Sequence, residues 1–313
     1  MTSSTPSNTS GRRPGVVPRL AITRLVLIWT VTTVIILATL VLAAIRSTPN
    51  GPGFLPPASQ ADARDFDEAG NKLPPETKPP GERMAGLTEE LDDAIQGILA
   101  DNADFRIGVA LGDVQSGEVR LYGDVSTYLA ASTAKVLTAV AYYHLVETGD
   151  LELEEPLGNY TAAFQLEAMI NSSNDDSWLL LMDAIGFPRL IEYAASIGIS
   201  YDPKQNLLTP VEMAILLMRL YSGDLINPEH TAQLLGHMQE TNNEELIPAA
   251  VPAGVTVHHK YGIVDQYMHD VAILTSGGTA YSLAIYTENP FGKQGRIDVI
   301  QQLTREICLS LFE

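Results

Sequence analysis

Between Val125 and Val146 the chain carries one charged side chain, Lys135. The core of this segment, YLAASTAKVLTAVAYYHL from Tyr128 to Leu145, is longer than an ordinary strand and apolar enough to be buried. It therefore predicts a helix inside the molecule. A lone ammonium in such a helix is desolvated, which disfavours its charged form. Ser132 lies three residues earlier, on the same helical face. A neutral lysine can take the proton of a neighbouring hydroxyl and turn that serine into a nucleophile. The competing reading is an N-cap serine followed by a lysine that snorkels to water. An S-x-x-K pair alone does not decide between them.

The charge distribution narrows the partners. The chain of 313 residues holds 38 acids against 19 bases, a net charge of −19. No acid precedes residue 47, whereas Arg12, Arg13, Arg19, Arg24 and Arg46 do. The acidic remainder lacks the clustered Lys and Arg that a phosphate backbone requires, so nucleic acid is not an expected partner. The run Leu25–Ile45 is uncharged and, at about 1.5 Å per residue, covers roughly 30 Å, one bilayer core. With four Arg before it and one after, it predicts a single-pass anchor with residues 1–24 cytoplasmic and the rest outside. Its apolar core is longer than that of a cleaved signal peptide. Residues 46–85 are rich in Pro, Gly and charge and read as a disordered spacer, which leaves 86–313 as one domain. The single cysteine, Cys308, is expected on the buried face of a last helix.

Element patterns follow along that domain. LTEELDDAIQGILAD is an amphipathic helix with Thr88 as its N-cap, and two β-rich runs flank the turn DVQSGE. Helical periodicity dominates from 132 to about 240, with Pro210 and Pro228 in first-turn positions after Thr209 and Asn227. Strands return in VTVHHKYG, DVAILTSG and AYSLAIYT before the closing helix. Strands at both ends with helices between predict an α+β fold. An antiparallel sheet built from the two ends of the domain carries a helical subdomain, with a cleft where they meet.

Two further pieces stand in order after Ser132-x-x-Lys135. Ser172-Ser173-Asn174 precedes an apolar helix, and Lys260-Tyr261-Gly262 ends a strand pattern. With these three pieces the sequence resembles the class A β-lactamase and penicillin-binding serine hydrolase superfamily. Its signature is S-x-x-K on a helix, S-x-N in a loop and K-T-G on an edge strand. The resemblance spans about 87 to 313 and implies a three-layer αβα fold that needs neither metal nor cofactor. It implies Ser132 as the acylated nucleophile, Lys135 as its base and Ser172 as proton relay to the leaving nitrogen. Asn174 would hydrogen-bond a substrate amide carbonyl, and Lys260 would hold the Ser172 hydroxyl and attract a substrate carboxylate. Tyr261 stands where a carboxylate-binding hydroxyl is expected. Gly262 would let substrate lie close to the strand, and the N–H groups of Ser132 and Ile263 would form the oxyanion hole.

The sequence also departs from that pattern. The region IGISYDPKQNLLTP has one acid, Asp202, and no match to the glutamate with which class A enzymes activate the deacylating water. Tyr261 replaces Thr or Ser. Asp175 and Asp176 are expected to suit a helix N-terminus, and His258, His259 and Asp270 to be structural. The expected activity is acyl-enzyme chemistry on a β-lactam or a peptidoglycan stem peptide at the outer face of the membrane. The alternatives are a D,D-peptidase or esterase with slow deacylation, or a non-catalytic wall-binding module. Oligomeric state is not legible.

Overall fold

The computed structural model describes residues 88–292 and 295–312. The sequence-based tail, anchor and spacer over residues 1–85 lie outside them. Among the described residues no helix is long and apolar enough to cross a membrane.

The first helix, α1 (Glu89–Asp101), starts where Thr88 accepts the Leu91 N–H. Strands β1 (Arg106–Asp113) and β2 (Val119–Gly123) form the expected hairpin. A two-residue strand, β3 (Tyr128–Leu129), leads into a 3₁₀ turn, Ala131–Ala134, and then α2 (Lys135–Glu147). The helical part continues with a small hairpin of β4 (Pro156–Leu157) and β5 (Tyr160–Thr161), then α3 (Ala162–Ile170), α4 (Asp175–Ile185) and α5 (Phe187–Ser196). A loop reaches β6 (Leu207–Leu208), which pairs with β3, and α6 (Pro210–Tyr221) and α7 (Pro228–His237) follow. Both of these helices start as the prolines imply, capped by Thr209 and Asn227. Strands β7 (Thr256–Val264), β8 (Tyr267–Ser276) and β9 (Thr279–Glu288) and helix α8 (Ile297–Phe312) close the domain.

The five long strands form an antiparallel sheet in the order β2-β1-β9-β8-β7, so the two ends of the domain meet at the β1–β9 pairing. Alternation along the strands feeds two cores. Val271, Ile273, Ala284 and Tyr286 face the helical part, while Ala272, Leu274, Leu283 and Ile285 face α1 and α8. This is the three-layer arrangement expected from the sequence. Cys308 is buried in the second core, and burial pushes its thiol up to about 12, which makes it a structural group. The edge strand β7 packs against the 3₁₀ turn, and that contact sets up the site.

Candidate active site

Ser132 does not sit inside a helix. It lies in the 3₁₀ turn that precedes α2, and Ala131 before it takes the left-handed φ of 50°. The turn presses on Gly262 of β7. A Cβ on that glycine would stand 3.0 Å from Ala130 O, Ser132 N and Thr133 N. Gly262 thus allows the close approach of the strand to the Ser132 turn. On the same strand the His259 N–H donates outward to Met238 O at 2.7 Å. Alternate residues of a strand share that direction, so Tyr261 and Ile263 turn their N–H groups to the outer edge as well. The Ile263 N–H is therefore directed away from β8, and Ile263 and Ser132 line one cavity of about 420 Å³.

Lys135 is fully buried. Its Nζ donates to Ser173 O at 2.7 Å, to Ser173 Oγ at 3.3 Å and to Asp175 Oδ1 at 2.6 Å. Lys260, also fully buried, donates to the same Ser173 Oγ at 2.9 Å and to Tyr261 O at 3.0 Å. Burial holds Lys135 below the ordinary lysine range, opposed by Asp175. Burial, with the Lys135 charge second, pushes Lys260 down to about 7.

The hydroxyl bracketed by the two lysines belongs to Ser173, and the relay position expected at Ser172 is corrected by one residue. Ser172 is exposed, and its backbone oxygen accepts from Asn242 Nδ2 at 3.0 Å. The tract Ser172-Ser173-Asn174-Asp175 can be framed as S-x-N or as S-x-D, and the fold selects the second. Ser173 takes a left-handed φ of 54°, which directs its side chain under the lysines. Asn174 is corrected with it. It is the N-cap of α4, its side chain accepting the Ser177 N–H at 2.8 Å, and it is not among the cavity residues. Asp175, expected only to favour the helix terminus, lines the cavity and pairs with Lys135.

Tyr261 also differs from expectation. Its hydroxyl donates to Asn242 Oδ1, and the Lys260 ammonium lies 3.9 Å from its ring centroid. It lines a separate depression with residues 241–245, and its hydroxyl ties the strand to the neighbouring loop while also interacting with the Ser173 side chain. His259 and Asp270 are structural, as expected. His259 Nδ1 and Asp270 Oδ1 are 2.9 Å apart, and Asp270 also accepts the Ile247 and Val271 N–H groups.

The loop after α5 contributes Pro203 and Asn206 to the cavity. Asn206 Nδ2 donates to Ala131 O at 3.1 Å and its carbonyl accepts the Ala130 N–H at 2.8 Å, clamping the nucleophile turn. Asp202 instead accepts the Lys204 N–H at 2.9 Å and Gln205 Nε2 at 3.3 Å. Sequence reasoning missed Ser173, Asp175, Asn206 and the cavity wall of Trp178, Leu179 and Met182. The only signal for the first two was the doubled serine with an acid two residues beyond it.

A sequence model described as the β-lactamase enzyme family matches residues 90–310. The chain belongs to that family. A search of curated proteins found no match. Among solved structures, PBP-A is 23% identical with a TM-score of 0.63, covering 71% of this chain and 96% of that one. A mutant of PBP-A is described as an acyl-enzyme complex with penicillin G. A β-lactamase from Desulfarculus baarsii DSM 2075 is 23% identical with a TM-score of 0.64, covering 72% of this chain and 98% of that one. One from Xanthomonas campestris pv. campestris str. ATCC 33913 is 20% identical with a TM-score of 0.64, covering 71% and 98%. These likenesses establish the fold of this β-lactamase-family chain, and its chemistry has to be argued from its own residues.

Proposed function

We propose that this chain is an active-site-serine acyl hydrolase that forms an acyl-enzyme on Ser132 with a β-lactam or a cell-wall amide and releases it slowly. The observation that carries this reading is the Ser173 hydroxyl held by Lys260 at 2.9 Å and Lys135 at 3.3 Å beside the nucleophile turn. It supplies a path for one proton. Neutral Lys135 takes the Ser132 proton as Oγ bonds to the carbonyl carbon, with Ser132 N–H and Ile263 N–H facing the oxyanion. As the carbon–nitrogen bond breaks, the proton passes through Ser173 Oγ to the leaving nitrogen. With Lys135 neutral, the like charge that helps lower Lys260 is gone, so Lys260 holds its proton and keeps the potential positive around the relay.

Slow release rests on the loop after α5. Its acid, Asp202, is bonded within its own turn and is not among the cavity residues. Without a general base from that loop the release step loses about 10²–10⁴ in rate, and Asp175, the acid that does line the cavity, is held by Lys135. Intact-protein mass spectrometry after mixing with benzylpenicillin should show a Ser132 adduct that persists after free antibiotic is removed. Rapid loss of antibiotic with no adduct would refute slow release. No adduct and no loss of antibiotic would refute acyl-enzyme formation with β-lactams.

The location belongs to the same proposal. The uncharged Leu25–Ile45 run and the Arg excess before it support an anchor with the catalytic domain outside the cell membrane. Protease added to intact cells should cut within residues 47–85 and release the domain. A protected domain with residues 1–24 accessible would reverse the orientation.

A further inference from the structure

The resemblance gives the third position of the loop motif to an amide that meets a substrate carbonyl, and in this fold that position is an acid. Asp175 lines the cavity together with Ser132. Its Oδ1 takes the Lys135 ammonium at 2.6 Å, and its side chain is 80% exposed while that of Lys135 is 0% exposed. An asparagine amide can donate a hydrogen bond, whereas a carboxylate only accepts. A carbonyl oxygen arriving there meets lone pairs with lone pairs. An N–H or ammonium meets a charge-assisted acceptor. Apart from Ser132 and Asn206 the rest of the wall is apolar, with Trp178, Leu179 and Met182 along α4.

We propose that Asp175 forms a subsite for an ammonium or N–H donor carried on the carbon next to the scissile carbonyl. The substrates are then esters or amides of α-amino acids with a free amine and an apolar side chain, and N-acylated counterparts are disfavoured. This rests on the acyl-enzyme reading above. The position follows from connectivity. Lys135 is three residues from Ser132, and Asp175 contacts Lys135 directly. Ser132 and Asp175 line the same cavity, so the carbon next to a carbonyl bonded to Ser132 Oγ is placed on the side of this acid. Lys260, the other cation of the site, engages Ser173 Oγ and Tyr261 O, which leaves the exposed side of Asp175 to the substrate. A substrate ammonium competes with Lys135 for the carboxylate. Docking thus removes the counter-charge that holds Lys135 protonated and favours the neutral base. In the reaction the Ser132 Oγ–carbon bond forms and the bond to the alcohol or amine breaks. The Ser132 proton goes through Lys135 and Ser173 to the leaving group, and water later releases the amino acid.

The test compares phenylglycine methyl ester with its N-acetyl derivative on the wild-type and Asp175→Asn chains. The substitution is isosteric, the position is exposed and the helix cap is Asn174, so the fold is retained. The wild type should favour the free amine in kcat/KM by about tenfold or more, the range of a hydrogen bond to a charged group. Asp175→Asn should bring the ratio to parity or reverse it. An equal ratio in both chains, with Ser132 acylated by either ester in mass spectra, would overturn the subsite and leave the acyl-enzyme reading standing. If neither ester acylates Ser132, that reading fails for these esters. Calorimetric dissociation constants on Ser132→Ala chains with and without Asp175 then decide the subsite. A preference for the amine that depends on Asp175 upholds it, and equal affinities overturn it.

Discussion

Lys135→Ala should abolish acyl-enzyme formation while leaving a folded domain. The loss should be about 10⁴-fold or more in acylation rate, at or beyond the upper end of what one positioned general base contributes. The fold should survive because the partner left behind, Asp175, is 80% exposed and can be solvated by water. Lys135→Arg should be nearly as inactive, since a guanidinium keeps its proton throughout the accessible range. For the wild type, the base must be neutral to act. Acylation should therefore rise with pH along an acid limb, because the active form is the deprotonated one. That limb should lie below the ordinary lysine value, as burial lowers the Lys135 pKa and Asp175 only partly opposes it. Lys260 shares Ser173 with Lys135, so the two lysines titrate as a pair and the limb reports the pair. Stopped-flow acylation from pH 5 to 10, with circular dichroism on the variants, measures all of this. An active Lys135→Arg chain would remove the general-base role and leave only a positional one.

Substituting the two adjacent serines separately should give opposite results. Ser173→Ala removes the hydroxyl that receives both lysines, and with it the route of the proton to the leaving group. Acylation should fall by about 10²–10⁴. Ser172→Ala changes an exposed side chain whose residue contributes its backbone oxygen to Asn242, so acylation should stay within about threefold of wild type, as for surface substitutions in general. Single-turnover rates with a chromogenic β-lactam separate the two. A severe Ser172→Ala defect beside a near-normal Ser173→Ala chain would restore the frame read first from the sequence.

Much of the molecule was legible because local physics decides it. The periodicity of α1 and α8, the caps Thr88, Thr209 and Asn227, and the strand alternation of β7 to β9 are short-range properties, and each appears where the residues indicate. The S-x-x-K pair was legible as a spacing, although Ser132 lies in the 3₁₀ turn and Lys135 opens the helix after it. The apolar run around Lys135 also announced a buried lysine, and it is buried.

What the tertiary structure alone decided is the identity of the groups that meet across long separations. Ser173 and Lys260 are 87 residues apart in the chain, and Lys135 and Asp175 are 40 apart. Nothing local distinguishes Ser172 from Ser173, because both are small, polar and compatible with a loop. The choice comes from the left-handed backbone at Ser173, held by contacts of the 171–174 segment with residues 237–242. Gly262 likewise reads as a strand glycine until the Ser132 turn is packed against it, where an added Cβ would crowd Ala130 O, Ser132 N and Thr133 N. Residue types determined which chemistry the chain could perform. Which of two neighbouring side chains meets the two lysines was set by backbone geometry, because one residue's shift in a loop reverses what faces the lysines and what faces water.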